Sequence, residues 1–402
     1  MLSRRKMLRM LAALPLVGGM AGTGLVKKVS GPAAKNSAYR RDYFTELGVR
    51  RFINGRGTIT TLSGSLMPPE VIEAINYASN QFVNLIELNE KVDRRIAEML
   101  NCEDAHVTAG AASAIQLATA AAVTGLDREK MRQIPNIPGS QPEVIMPKNH
   151  RIYEQQLTAC GVKLVEADGP EEMEQAINEN TVLGFYFNAS PHKSISKEDF
   201  VSIGKKYNVP TFNDAAADVP PVENLFKYIE MGFDIVTFSG GKGIRGPQSA
   251  GLLFGRKDLI EAARLNHSPY GSIGRGMKVN KEEVLGMMVA LELYLGKDHD
   301  REWKMWESWV DRIAAAAGSV PSVETEKYVP EIANHVPHLR ITWDQNRVRI
   351  SPSDVRENLQ KGHPSIEVFG GQDYLEMNVF MMKPEEVGIV ARRIREVLEQ
   401  AV

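Results

Sequence analysis

Between residues 143 and 238, apolar runs at Val144–Met146, Val162–Val165, Val182–Phe187, Val209–Phe212 and Ile235–Phe238 alternate with polar or amphipathic stretches of helix length. A short apolar run bounded by turn residues reads as a buried strand. Strand and helix alternating at this spacing predict an α/β fold with a mainly parallel sheet covered by helices on both faces. Upstream, Pro68-Pro69-Glu70 followed by Val71, Ile72 and Ile75 along one side predicts a helix, and another runs from about Asn89 to Leu100. Residues 105–122 predict a short strand, a turn at Gly110 and an alanine-rich helix.

The pattern changes after residue 280. Two long helical stretches, Lys281 to about Gly296 and about Asp298 to Ala317, precede short strand-like runs at Leu339–Trp343, Arg347–Ile350, Ile366–Phe369 and Leu375–Met381, and a closing amphipathic helix, Pro384–Leu398. Trp303, Trp306 and Trp309 recur at helical spacing, which reads as core or subunit contact. Antiparallel-looking strands with helices imply a second, smaller α+β domain. The expected division is residues 1–34 as a signal, 35–65 as an extended arm, 66–280 as the large domain and 281–402 as the small one.

The amino terminus has a character of its own. A basic start leads into an apolar stretch, Met10–Val26, broken by Pro15 and several glycines and too weakly apolar to span a bilayer. Ser3-Arg4-Arg5-Lys6-Met7-Leu8-Arg9 is similar to a twin-arginine export signal, with Met7 where that pattern prefers Phe. Cleavage near Ala33-Ala34 would leave a periplasmic protein with no stable membrane anchor; the other reading is a basic, disordered tail. Removing the first 34 residues, which carry six basic side chains and no acid, takes the net charge from −2 to −8. So acidic a chain is a poor nucleic-acid binder, because such binding rests on neutralising phosphates. Cys102 and Cys160 fall in no ligand spacing and His335 and His338 have no recognisable metal partner, so no metal site is expected.

The chemistry concentrates where strands end. The apolar run Ile235–Phe238 stops at Ser239-Gly240-Gly241, presents Lys242, and resumes as Ala250–Phe254 after Gly243, Gly246 and Pro247. Lys242 is either a solvated turn lysine or an amine that forms a Schiff base with pyridoxal phosphate, which needs an open backbone and a deprotonated nitrogen. Asp214, ending the strand that starts at Val209, is either an N-cap or the buried carboxylate that keeps a pyridine nitrogen protonated. One helix and one strand separate the two residues, so a parallel sheet would bring them to one edge. Gly110, Ala111, Ala112 and Ser113 open the alanine-rich helix, whose free amides suit a phosphate; close packing on the sheet would also explain them. Ser239 could add a hydroxyl to that cup. His150 could stack on a cofactor ring and Asn188 hydrogen-bond its phenolic oxygen, or both could satisfy local backbone. Arg245 and Arg275 are either substrate-anion ligands or solvated loop charges.

Asn54-Gly-Arg-Gly-Thr-Ile-Thr-Thr-Leu-Ser-Gly-Ser65, Ala109-Gly-Ala-Ala-Ser113, Asn213-Asp-Ala-Ala-Ala217 and above all Ser239-Gly-Gly-Lys-Gly-Ile-Arg-Gly-Pro-Gln-Ser-Ala-Gly251 resemble the selenocysteine synthase-like branch of fold-type-I pyridoxal phosphate enzymes, over roughly residues 45–400. The resemblance implies Lys242 as the Schiff-base lysine, Asp214 as partner of the pyridine nitrogen, and a phosphate cup from the segment around Ala111, Ala112 and Ser113 with Ser239. It further implies a homodimer or larger, with sites at the subunit interface. The branch includes a tRNA-acting enzyme with an extra N-terminal domain, for which the roughly 18 residues between the cleavage point and Phe52 leave no room. Members also often carry an arginine in the small domain's late strand, and Leu375–Met382 has none. The expected function is therefore α,β-elimination or β-replacement on a small amino compound, an amino acid or amino sugar acid. An aminotransferase and a non-catalytic binding protein of the same fold are the alternatives.

Overall fold

The computed structural model describes residues 41–402; the expected signal, 1–34, lies outside the described residues. Residues 41–50 carry one short helix, Tyr43–Glu46, whose first turn is capped by the Asp42 carboxylate accepting from the Thr45 amide. Arg51–Val402 is a compact unit by itself. Among the described residues no helix is long and apolar enough to cross a membrane.

The chain of that unit enters through strand β1 (Phe52–Asn54) and a 3-10 turn at Thr60–Leu62. A seven-stranded sheet then forms from β2 (Asp104–Thr108), β3 (Glu143–Pro147), β4 (Lys163–Ala167), β5 (Thr181–Phe187), β6 (Thr211–Asp214), β7 (Ile235–Ser239) and β8 (Gly251–Gly255). Their spatial order is β2-β8-β7-β6-β5-β3-β4, with β8 antiparallel to both neighbours and every other pairing parallel. The apolar runs forecast these strands to within about two residues, because a strand buried on both faces is apolar throughout. The boundary moves most at β6, which starts at Thr211 and ends on the polar pair Asn213-Asp214.

A second sheet, order β12-β13-β10-β9, is antiparallel and uses β9 (Val323–Tyr328), β10 (His338–Trp343), β12 (Phe369–Gly370) and β13 (Leu375–Asn378). Strand β11 (Ser365–Glu367) instead pairs in parallel with β1, so the arm that precedes the large sheet is stitched to the C-terminal lobe, and Ile53 joins that lobe's core. The run Arg347–Ile350, expected as a strand, is a turn and loop leading into a helix, Pro352–Lys361. Strand β9 escaped the pattern because only Val323 of its six residues is buried.

Each sheet has its own core. The helix Lys281–Leu295, grouped from the sequence with the small domain, buries Val284, Met287, Ala290, Leu291 and Tyr294 in the core of the large sheet. The next helix, His299–Gly318, buries Trp306, Val310, Ile313 and Ala317 in the C-terminal core. The change of core therefore falls between these helices. Trp306 meets Phe380 edge-on with ring centroids 5.7 Å apart, which accounts for the aromatic spacing as core packing.

Candidate active site

Strands β5, β6 and β7 end side by side, and Asp214 on β6 is the register partner of Thr237 on β7, two residues before Ser239. The Asp214 side chain is 1% exposed. One oxygen, Oδ1, accepts from the Ala216 amide (3.1 Å), while Oδ2 is buried with no partner among the described residues. Burial pushes its pKa up from 3.8 to about 7, against the lowering influence of the Ala216 amide and of Lys242. Lys242 is mostly buried in turn, and desolvation holds its amine below the ordinary lysine value although Asp214 and Asp218 pull the other way. Among the described residues its amine has no hydrogen-bond partner. A buried, half-satisfied carboxylate beside a desolvated amine is unstable as a purely structural feature.

The loop bearing Lys242 is built from close backbone approaches. The Gly240 amide donates to Ala250 O (2.9 Å) and the Gly246 amide to Gly240 O (2.7 Å). A Cβ on Gly241 would collide with the Gln248 backbone, and one on Gly64, at φ +64°, with Gly241 O. Ser65 Oγ donates to that same carbonyl (3.0 Å), so the N-terminal arm braces the lysine loop.

Across the sheet, Ser239 is opposite Gly251, and Gly251 opposite Thr108. A Cβ on Gly251 would stand 2.6 Å from the Gly110 carbonyl carbon and 2.9 Å from the Ala111 nitrogen, so the start of the helix Gly110–Thr124 rests directly on β8. That helix has no side-chain cap, and Ala112 in its first turn is exposed. Thr108 Oγ1 and Ser113 Oγ both donate to Gly110 O (3.0 and 3.1 Å), which puts two hydroxyls at the helix start. Free amides, the positive end of the dipole and hydroxyls together suit a phosphate. These features fit pyridoxal phosphate: an amine for its aldehyde, an orphan carboxylate oxygen for its ring nitrogen and an open helix start for its phosphate.

Behind β2, the buried His106 joins Asp93 (Nδ1 to Oδ2, 2.8 Å) to His267 (Nε2 to Nδ1, 2.8 Å), and His267 Nε2 faces Met277 O (2.7 Å). The carbonyl only accepts, so the three links need one proton more than two neutral rings carry. Arg264 Nε also donates to Asp93 (3.0 Å). This network anchors β2 and the segment 267–277.

Lys242, Asp214, Ser239, Gly110, Ala111, Ala112 and Ser113 thus converge on one end of the sheet. Four other expected residues are placed differently. His150 is fully buried, its Nε2 donating to His192 O (3.1 Å) and its Nδ1 accepting from the Phe187 amide (3.0 Å). Its ring meets that of Tyr186 in a T-shaped contact and burial lowers its pKa to about 4, so in this structure it is a neutral, fully buried brace of the backbone. Asn188 donates to Asp218 Oδ2 (2.8 Å) and accepts from Asn213 (3.1 Å), so both ends of its amide are engaged. Arg245, at φ +59°, sends its guanidinium to Phe380 O (2.6 Å), joining the lysine loop to the C-terminal core. Arg275 is exposed on the segment that His267 anchors.

Three residues were missed from the sequence. Asp218, at the fourth position after Asp214, accepts from Asn188 and from the Tyr228 hydroxyl (2.7 Å), and its charge acts on both Lys242 and Asp214. Tyr153, three residues past His150, is half-buried, and burial, with the charge of Asp214 adding to it, raises the pKa of its phenol. Thr108 gave no signal beyond standing at a strand end. An acid four residues after an acid, and an aromatic beside an expected site histidine, were the available clues.

The family model for SelA, L-seryl-tRNA selenium transferase, matches residues 52–306. Among individual proteins, the chain is 28% identical to D-glucosaminate-6-phosphate ammonia lyase of Salmonella typhimurium over 89% of its own length and 98% of the relative's. It is 27% identical to a Streptomyces 5'-C-glycyluridine monooxygenase-decarboxylase over 88% and 92%. The L-seryl-tRNA(Sec) selenium transferase of Carboxydothermus hydrogenoformans is 28% identical, but only 62% of this chain and 57% of that protein align. The solved structure of D-glucosaminate-6-phosphate ammonia-lyase superposes with a TM-score of 0.79 at 26% identity, over 90% of this chain and 99% of that one. A NifS-like protein, 18% identical with a TM-score of 0.58, shares the fold. With a family match covering more than half its length and a lysine, a buried aspartate and a glycine-lined cradle where the fold needs them, the chain belongs to the SelA family of fold-type-I, pyridoxal 5'-phosphate-dependent enzymes.

Proposed function

We propose that this protein is a lyase or transferase that acts on a small amino compound, an amino acid or amino sugar acid, by α,β-elimination or β-replacement. The observation that carries the reading is the buried, half-satisfied Asp214 carboxylate beside the desolvated Lys242 amine. Bound here, pyridoxal phosphate would supply an electron sink for the bond electrons released at the substrate's Cα. Lys242 would hold the cofactor through its amine and be freed when a substrate amine takes its place. The freed Lys242 amine, low in pKa because it is desolvated, then takes the proton from Cα, and the leaving group departs from Cβ with its bonding pair. Asp214, through its unpartnered Oδ2, would face the ring nitrogen and favour its protonated form. Thr108, Ser113, Ser239 and the open helix start would hold the phosphate.

The full-length likeness to D-glucosaminate-6-phosphate ammonia lyase supports a small, polar amino substrate over tRNA, as does the partial alignment with the selenium transferase. The test is turnover of a panel of amino acids and amino sugar acids by purified, cofactor-loaded protein. Keto acid formed together with free ammonia supports elimination. Amino transfer to an added keto acid, without ammonia, refutes it in favour of an aminotransferase, and no spectral response to any amine refutes an enzyme altogether.

Two further parts of the reading concern assembly and location. Leu66 before the helix Pro69–Ser79, Ile72 and Tyr77 on it, Phe82 and Val83 in the segment after it, and Ile86 at the start of the next helix, Leu85–Leu100, expose a run of apolar side chains, which supports a homo-oligomer built on that part of the surface. Sedimentation of wild type against Phe82→Asp tests it: a smaller species in the variant supports the face, and an unchanged one removes it. The Arg4-Arg5 pair supports export to the periplasm, and retention in the cytoplasm after Arg4→Lys/Arg5→Lys would support the twin-arginine route.

A further inference from the structure

A cavity of about 420 Å³ lies in the cleft between the two cores, walled by Asn188, Asp218, Lys193, Lys197, Lys227 and Tyr228 on one side and by residues 331–333 and His335 on the other. It adjoins the strand ends just described. The Asn188 amide donates to Asp214 O (3.1 Å), and the Asn334 amide donates to Ala217 O (3.2 Å), which ties the far wall to the segment following Asp214.

The charge around this cavity is unbalanced. Three ammonium groups line it, against the carboxylates of Asp218 and Glu331. Asp218 is held by two neutral donors, the Tyr228 hydroxyl (2.7 Å) and Asn188 Nδ2 (2.8 Å), and its single charge is shared among Lys193, Lys197 and Lys242. Lys193 uses one of its donors on Asn188 O (2.9 Å) and keeps two. Among the described residues Lys197 makes no hydrogen bond or ion pair; its Nζ lies 5.8 Å from the ring centroids of both Tyr186 and Tyr228. Lys227 likewise has no ion pair among the described residues, in contrast to Lys206 farther along the same helix as Lys197, which is closed on Glu174 (2.8 Å). Burial lowers the pKa of Lys193 and Lys197, although Asp218, and for Lys197 also Glu198, pull the other way, so the carboxylates nearby do not offset the desolvation of these two amines. An oxyanion in the cavity would satisfy donors that are otherwise left to the aromatic faces and to water.

We propose that this cavity is an anion subsite, in which Lys197, Lys193 and Lys227 bind a carboxylate or phosphate at the far end of the amino substrate. The inference rests on the proposed reading that the substrate's amine reacts at Lys242, and it narrows the substrate to an extended amino compound with a second anionic group. A cavity of this size holds several heavy atoms, more than a short neutral side chain provides.

The experiment titrates cofactor-loaded protein with alanine, glutamate and O-phosphoserine, following the visible absorbance, and measures binding of inorganic phosphate by calorimetry. The amines with a second anion should shift the spectrum at concentrations at least about tenfold below alanine, the effect of one charge-assisted hydrogen bond. Glutamate against O-phosphoserine tells carboxylate from phosphate. In Lys197→Gln, and in the surface-exposed Lys227→Gln, that preference should shrink about tenfold and phosphate binding weaken alike, whereas Lys206→Gln keeps both. Equal concentrations for all three amines, or a preference that survives both cavity variants, would overturn the subsite. If no amine shifts the spectrum, the reading at Lys242 falls and the subsite is judged on phosphate alone: binding that weakens in Lys197→Gln upholds it, and binding that is absent or unaffected overturns it.

Discussion

Replacing Asp214 by Asn separates what this carboxylate costs the cofactor-free fold from what it does when the cofactor is bound. In the free protein burial raises its pKa from 3.8 to about 7, a difference equivalent to roughly 4 kcal/mol. Because the folded value lies above the unfolded one, the folded chain holds a proton that the unfolded chain has released over the whole interval between them. Stability from this group is therefore intact below about pH 4, falls as pH rises, and levels off above about pH 7. Between about pH 5 and about pH 8 the loss comes to roughly 2–3 kcal/mol, the part of the interval above pH 5. The asparagine amide stays neutral throughout and removes that slope. Urea denaturation of cofactor-free wild type and Asp214→Asn at both pH values reads the effect as a difference of differences, which cancels every other titrating group. The variant should gain on wild type by about 2–3 kcal/mol at the higher pH. Once cofactor is bound the order should reverse, since Asn cannot form the ion pair with a protonated ring nitrogen. Parallel pH profiles for the two cofactor-free proteins would mean that Asp214 is hydrated and ordinary, and would refute the electrostatic reading of the site.

Three other substitutions probe separate parts of the account. Lys242→Ala should abolish the visible absorbance of bound cofactor while the far-UV circular dichroism stays native. Gly251→Val places carbon where the Gly110 and Ala111 backbone stands, so the helix start must shift; overpacking of about 1–3 kcal/mol should weaken cofactor retention about tenfold or more in equilibrium dialysis. Arg245→Ala leaves Phe380 O without its guanidinium donor, so thermal unfolding should report a loss of about 1–3 kcal/mol with little change in KM. A large KM increase at unchanged stability would return Arg245 to the substrate.

The large sheet was legible in the sequence because strands buried on both faces write their positions as apolar runs. Lys242 and Asp214 were legible for the same reason, since each stands where such a run stops. The C-terminal lobe was less so: β9 presents four exposed residues, and Arg347–Ile350 has the apolar content of a strand but closes as a turn, with Arg347 and Val348 amides on Asp344 O. His150 and Asn188 follow strands as expected, yet what a polar side chain at a strand end faces depends on neighbours distant in sequence. For His150 these are the backbone at 187 and 192, and for Asn188 they are Asn213 and Asp218. The pairing of β1 with β11, 313 residues apart by the Phe52–Ser365 register, left no local trace either.

The central claim is that the aldehyde of pyridoxal phosphate condenses with one amine, that of Lys242. Borohydride reduction of the cofactor-loaded protein followed by peptide mass spectrometry tests it directly. A single phosphopyridoxyl group on the peptide spanning Ser239–Arg245, at Lys242, is the predicted result. Modification at another lysine with Lys242 unmodified, or no fixed cofactor at all, would contradict the account.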